Sequence, residues 1–187
     1  MLTGDEQTVK VLVAGHLGAG KTTFVDVLSQ IPPVRTEEVM TAAAQDIDHT
    51  DLPGKTSTTV AMDFGRLHLS PDLVLYLFGA PGQRRFFPIL QDLAVGALGA
   101  LILVDTRRLA ETFHILTLVE SLGLPYVVAV NQFPEAPEIK RERLREVMDL
   151  HDDTPLVLCD ARDHTSARNA LIDLVRYLLT LTPEPVR

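Results

Sequence analysis

The segment Gly15-His16-Leu17-Gly18-Ala19-Gly20-Lys21-Thr22 carries the strongest chemical signal in the chain. Its spacing is G-x-x-x-x-G-K-[ST], in which glycines let successive backbone N–H groups turn inward around one anion. A helix opening at the lysine adds the positive end of its dipole to the same point. Lys21 supplies a point charge for outer phosphates, and the Thr22 hydroxyl suits Mg²⁺. Gly15, Gly18, Ala19, Gly20, Lys21, Thr22 and Thr23 are therefore candidate phosphate ligands, with Thr22 also a metal ligand. A chance match is expected in on the order of 1% of chains this long. A dinucleotide fingerprint would need G-x-G-x-x-G, which Gly15, Gly18 and Gly20 do not satisfy.

Such a loop works only between a strand and a helix. Short runs rich in β-branched residues occupy 9–14, 59–69, 73–78, 100–104, 126–130 and 156–158, and amphipathic helical patterns lie between most of them. One helix opens near Gly20 with Phe24, Val25 and Leu28 on one face; others place Leu109, Phe113, Leu116 and Val119, or Leu171, Leu174, Val175 and Leu178, together. Leu101-Ile102-Leu103-Val104 and Val127-Val128-Ala129-Val130 are apolar throughout, as strands covered on both faces are. The expectation is an α/β fold with a mostly parallel sheet of about six strands, helices on both faces, and one antiparallel edge pair. Ser70-Pro71-Asp72 marks the hairpin turn of that pair. Residues 30–58 show no clear period and read as one long loop. Loops beyond about 12–15 residues are usually functional or disordered.

The whole chain, 1–187, reads as one domain of ordinary composition, 46% hydrophobic and 22% charged. A net charge of −8 disfavours non-specific binding to nucleic acid or to an anionic membrane surface. Cys159 stands alone, which fits a reducing compartment. No apolar run approaches about 18 residues, the start of the chain is acidic, and Pro185-Val186-Arg187 carries no prenylation cysteine. These features predict a cytoplasmic protein without a direct membrane anchor, reaching membranes only through a protein partner.

Beyond the phosphate loop the chain resembles the Ras-like small GTPases. Gly79-Ala80-Pro81-Gly82-Gln83 resembles their D-x-x-G-Q segment. The resemblance implies that Gly82 senses the γ-phosphate and Gln83 orients the attacking water. Thr59-Val60-Ala61-Met62-Asp63-Phe64 resembles the end of switch I, which implies a Mg²⁺ ligand at Thr59, with Thr58 as the alternative. Asn131-Gln132 stands where base recognition belongs, and Asp160-Ala161-Arg162 resembles the S-A-K segment whose alanine amide meets guanine O6. Within the superfamily, residues 55–65 and 103–109 resemble the bacterial MglA-like proteins and the actinobacterial conservon (CvnD-type) GTPases. That resemblance implies a GTP/GDP switch with Mg²⁺, working beside a Roadblock/LC7-type protein and a sensor kinase. It makes 30–58 a long switch I loop and 79–95 the switch II region.

Three positions depart from the Ras-like pattern. Gly79 replaces the Asp that holds Mg²⁺ through water, as in MglA-like proteins, so weak Mg²⁺ retention is expected. Asn131-Gln132-Phe133-Pro134 lacks the carboxylate that pairs with guanine, leaving guanine against adenine open, with Glu135 as a substitute. Leu17 fills space that Ras leaves for the glutamine and an arginine finger, so slow hydrolysis is expected. A pseudo-GTPase scaffold and an ATP-dependent P-loop enzyme are the alternative functions.

Other candidates have plainer readings. Arg84 or Arg85 could serve as an internal arginine finger or lie solvated; Arg35 has a weaker claim. Asp46, Asp48, Asp51 and His49 lack calcium-loop spacing and read as a solvated loop. Phe86, Phe87 and Ile89 either pack inward or form a patch that a partner reads. Cys159, ending a buried strand, reads as an inert core thiol.

Overall fold

Alternation of side chains along the apolar strands explains the architecture. Val11 and Val13 of strand β1 (Gln7–Ala14) join one buried cluster, while Leu12 and Ala14 join another on the opposite face. The first cluster receives Phe24, Val25 and Leu28 from α1 (Lys21–Leu28) and Ala167, Leu171 and Leu174 from α5 (His164–Leu181). The second receives Leu90 from α2 (Phe87–Ala94), Ile115 and Val119 from α3 (Phe113–Ser121), and Leu144 from α4 (Arg141–Val147). A strand burying both faces needs apolar residues at every position, which is why the periodicity vanished in the central strands. Each large side chain fully buried here contributes roughly 1.5–3 kcal/mol.

The structure, a computed structural model, describes residues 7–32, 34–40 and 58–181, and of 34–40 and 58–61 the backbone alone. The described residues form a seven-stranded sheet in the order β2-β3-β4-β1-β5-β6-β7. The remaining strands are β2 (Val34–Met40), β3 (Thr58–Ser70), β4 (Leu73–Gly79), β5 (Gly99–Val104), β6 (Tyr126–Asn131) and β7 (Leu156–Cys159). β4, β1, β5, β6 and β7 run parallel, and β3 joins β4 antiparallel through the turn at Pro71 and Asp72.

The expected fold class holds, with one correction. Residues 34–40, read as part of the long loop 30–58, form β2 and pair antiparallel with β3 from Val34↔Phe64 to Met40↔Thr58. The hairpin pair is therefore not the sheet edge, and the sheet has a seventh strand. Val-Arg-Thr-Glu-Glu-Val-Met alternates weakly, and its strand state depends on partners 18 to 30 residues away, from Met40↔Thr58 to Val34↔Phe64. The acidic cluster at Asp46, Asp48, Asp51 and His49 lies outside the described residues.

Candidate functional site

The parallel strands end together, and the phosphate loop leaves β1 there. Gly20 opens α1 without any side-chain cap, so the first-turn N–H groups of Lys21, Thr22 and Thr23 face outward without intrahelical partners. Lys21 folds back over the loop. Its Nζ donates to the carbonyls of Gly15 at 2.9 Å and His16 at 2.8 Å. Burial pushes its pKa down to about 8, against the attraction of the Asp63 carboxylate. An arriving phosphate would relieve that deficit by pairing with the ammonium.

Asp63 is the residue that sequence reasoning passed over. It lies on β3 with its side chain 6% exposed, and its Oδ2 accepts from the Thr22 hydroxyl at 2.6 Å. The register sets Asp63 beside Gly79. A Cβ on Gly79 would stand 2.9 Å from Asp63 Cβ and 3.0 Å from its Oδ2. On the same rung of the sheet the neighbouring strand thus carries a carboxylate where residue 79 has none, and glycine makes the room. The expectation of weak Mg²⁺ retention considered residue 79 alone. The signal available was a lone acidic residue in an apolar strand, but only the register gave it a location.

The hydroxyl of Thr22 and the buried carboxylate of Asp63 form a hard-oxygen donor set beside the phosphate loop, which fits Mg²⁺. Thr59, with Thr58 as its alternative, belongs to β3 by its backbone, and its side chain lies outside the described residues. Arg35 stands opposite Asp63 in the β2–β3 register, and its side chain is likewise outside them.

The segment after β4 closes the site from the other side. Gly82 sits against the backbone of the phosphate loop: a Cβ there would meet Gly15 O at 2.4 Å, His16 C at 2.5 Å and Leu17 N at 2.6 Å. Ala80 N donates to Val13 O at 3.0 Å and fixes the start of the segment. Gln83 follows with its Oε1 buried and without a hydrogen-bond partner among the described residues. Arg84 is exposed, while Arg85 lies over the ring of Phe86 at 4.8 Å. Phe86 is buried and Phe87 stacks on His114, so these two aromatics pack inward.

Asn131 ties the base-recognition positions to the phosphate loop. It is 4% exposed, donates through Nδ2 to Ala19 O at 2.9 Å, and accepts at Oδ1 from Ala161 N at 3.0 Å. The alanine amide that the resemblance aims at guanine O6 is here held by Asn131. Asp160 pairs with Arg162 through two bonds of 2.9 and 2.8 Å, which lower its pKa below the ordinary carboxylate range. Gln132 and Pro134 are exposed. Next to them, Asp105 is buried at the end of β5; burial would raise its pKa, but hydrogen bonds from Arg107 outweigh this and lower it. Arg107 also lies 3.9 Å over the Phe133 ring, joining the turn after β5 to the loop after β6. Cys159 is fully buried, and burial pushes its thiol up to about 12, consistent with an inert core residue.

A family model described as conserved hypothetical ATP binding protein matches residues 13–181. The chain belongs to this family. It is also 31% identical over 127 residues to an uncharacterized protein of Methanocaldococcus jannaschii, covering 66% of this chain and 70% of that one. Among solved structures it is similar to the G domain of the T. maritima iron transporter FeoB, with a TM-score of 0.61 at 19% identity over 91% of this chain and 99% of that one. It is similar as well to translation elongation factor SelB from Methanococcus maripaludis in complex with the GTP analogue GPPNHP. There the TM-score is 0.65 at 18% identity, covering 99% of this chain and 36% of the factor. The fold is that of a P-loop NTPase G domain, and family and fold together make this a nucleotide-binding P-loop protein. No helix among the described residues is long and apolar enough to cross a membrane.

Proposed function

We propose that the chain is a single-domain molecular switch that binds GTP and GDP with Mg²⁺, hydrolyses GTP slowly and signals to protein partners. The contact of Gly82 with the backbone of Gly15, His16 and Leu17 carries this reading. It sets the switch II segment, 79–95, directly on the loop that cradles phosphate. A terminal phosphate must engage or displace that segment, which is how order in a switch becomes linked to the nucleotide. Segment 30–58 is the second region assigned to reorganise, with β2 as its paired part.

In this reading Gly15, Gly18, Ala19, Gly20, Lys21, Thr22 and Thr23 hold phosphates, and Thr22, Asp63 and Thr59 would hold Mg²⁺. The metal, when bound, neutralises charge developing on the transferred phosphoryl group. Gln83 offers its buried, unpartnered Oε1 to a proton of the attacking water. A neutral amide orients that water without taking its proton, so the proton passes to a phosphate oxygen. Arg84 or Arg85 would add charge when the segment moves. Leu17, 56% exposed at the crest of the loop, stands in the way of an external arginine, in keeping with a slow rate.

The MglA-like and conservon placement rests on residues 55–65 and 103–109 and brings with it the Roadblock/LC7-type partner and the sensor kinase. The family description and Pro134, standing where guanine selection needs a carboxylate, favour a second reading as an ATP-dependent P-loop protein. Identifying the nucleotide that co-purifies with the protein, followed by GTP against ATP competition and a phosphate-release assay, separates the possibilities. Guanine nucleotide with slow release supports the switch. Adenine nucleotide supports the second reading, and tight binding without turnover leaves an interaction scaffold.

A further inference from the structure

The Leu17 carbonyl, at the crest of the phosphate loop, accepts hydrogen bonds from two side chains that no motif assigns. His16 donates through Nδ1 at 2.7 Å and Arg108 through Nη1 at 3.2 Å. A carbonyl can only accept, so the ring proton of this neutral, buried histidine resides on Nδ1. Arg108 comes from the turn after β5 and is half-exposed. It is held in place by Glu111, which accepts from its Nε at 2.6 Å and its Nη2 at 2.7 Å. The same carboxylate lies 3.9 Å from His16 Nδ1. Arg108 therefore bridges the 3-10 turn Thr106–Glu111 after β5 to the crest of the loop, with its Nη1 3.8 Å from where a Cβ on Gly18 would stand.

The carbonyl of Leu17 and the N–H of Gly18 belong to one planar trans peptide and point in opposite directions. Pinning the carbonyl toward Arg108 and His16 turns the N–H away from them. Two donors on the carbonyl, one of them cationic, also draw charge through the peptide and strengthen that N–H as a donor. The peptide lies at the outer end of the cradle, because Gly82, the residue assigned to sense the terminal phosphate, abuts Leu17 N.

We propose that Arg108 and His16 are positioning residues that orient and polarise the Leu17–Gly18 peptide toward the outer phosphates, favouring a nucleoside triphosphate over the diphosphate. This rests on the nucleotide-switch reading. Arg108 acts from outside the loop, through a peptide group, and touches no phosphate itself. Its link to Glu111 makes the turn after β5 part of the phosphate site.

The test compares Arg108→Gln and Arg108→Lys with the unaltered chain. It measures dissociation constants for fluorescent GDP and for a non-hydrolysable fluorescent GTP analogue in Mg²⁺, with thermal melting as the control for folding. The expected result for Arg108→Gln is a loss of about tenfold for the triphosphate analogue, one decade being the scale of a single charge-assisted hydrogen bond. GDP should change by less than about twofold. Arg108→Lys, which keeps a cationic donor, should recover much of the loss. The phosphorus NMR resonances of the bound analogue should move in Arg108→Gln and return toward their original positions in Arg108→Lys. A GTP-analogue to GDP ratio equal to that of the unaltered chain, or equal losses for both nucleotides, overturns the inference and leaves Arg108 a structural residue. If Arg108→Gln does not fold, Glu111→Gln, which releases the arginine while retaining it, must show a selective loss of the same sign; its absence overturns the inference equally. An unaltered chain that binds neither nucleotide overturns this inference and the switch reading together.

Discussion

Replacing Asp63 by asparagine removes one buried negative charge and keeps the side chain's size. Asp63 accepts the Thr22 hydroxyl at 2.6 Å while 6% exposed, and its charge raises the pKa of Lys21 against the effect of burial. Hydrogen bonds to charged groups contribute about 1.5–3 kcal/mol. At about 1.4 kcal/mol per decade this is about 10–150-fold in an equilibrium constant. An asparagine keeps one acceptor oxygen for Thr22, so the expected loss lies toward the lower half, about 10–50-fold in Mg²⁺ retention. The assay is release of fluorescent GDP at increasing Mg²⁺. The concentration that half-maximally slows release should rise by that factor in Asp63→Asn, while release without Mg²⁺ changes little. The register supplies a second arm. Gly79→Asp alone should be poorly tolerated, since its Cβ would stand 2.9 Å from Asp63 Cβ and bring a second carboxylate beside the first. Asp63→Gly with Gly79→Asp moves the carboxylate across one rung of the sheet and should recover most of the Mg²⁺ dependence lost in Asp63→Gly. A half-point in Asp63→Asn within about twofold of the unaltered chain, with nucleotide still bound, would refute the assignment of this carboxylate to the metal. Failure of the swap to improve on Asp63→Gly would refute the argument from register.

Other consequences can be checked in parallel. Burial lowers the pKa of Lys21 to about 8 in the folded chain from its ordinary 10.5, so the unfolded chain binds more protons between those values. Stability without nucleotide should therefore rise as pH increases from about 8 toward 10.5, by up to about 3 kcal/mol at 1.36 kcal/mol per pH unit. Lys21→Met should flatten that rise in denaturant titrations, raise stability at neutral pH, and abolish nucleotide binding; a Met variant less stable than the unaltered chain at pH 7 would contradict this. Gly82→Ala should hold segment 79–95 off the phosphate loop, because its Cβ meets only backbone there. Faster hydrogen exchange across 79–95 with unchanged melting of the core is the expected readout. Asn131→Ala leaves Ala19 O and Ala161 N without their shared partner. A buried unsatisfied group costs about 1–3 kcal/mol, so the variant should lose about 2–4 kcal/mol by chemical denaturation and bind nucleotide more weakly.

The sequence by itself determined the phosphate loop, the strand and helix that flank it, and six of the seven strands along the chain. These follow from local rules: glycine spacing, apolar periodicity, and strands apolar on both faces. It also placed Gly82, Gln83, Asn131 and Ala161 near the site, and the structure brings Gly82 onto the phosphate loop and Asn131 between Ala19 and Ala161. It did not show β2, whose residues alternate too weakly to declare a strand without β3 beside them. Nor did it give Asp63 a role, because the missing carboxylate was sought at residue 79 on β4. Only the antiparallel register, which sets Asp63 next to a glycine and over Thr22, decides which strand supplies the charge. The bonds from His16 and Arg108 to one carbonyl are hidden for a related reason. Backbone acceptors leave no mark in a sequence, and the two donors meet only when the sheet brings the turn after β5 alongside the turn after β1.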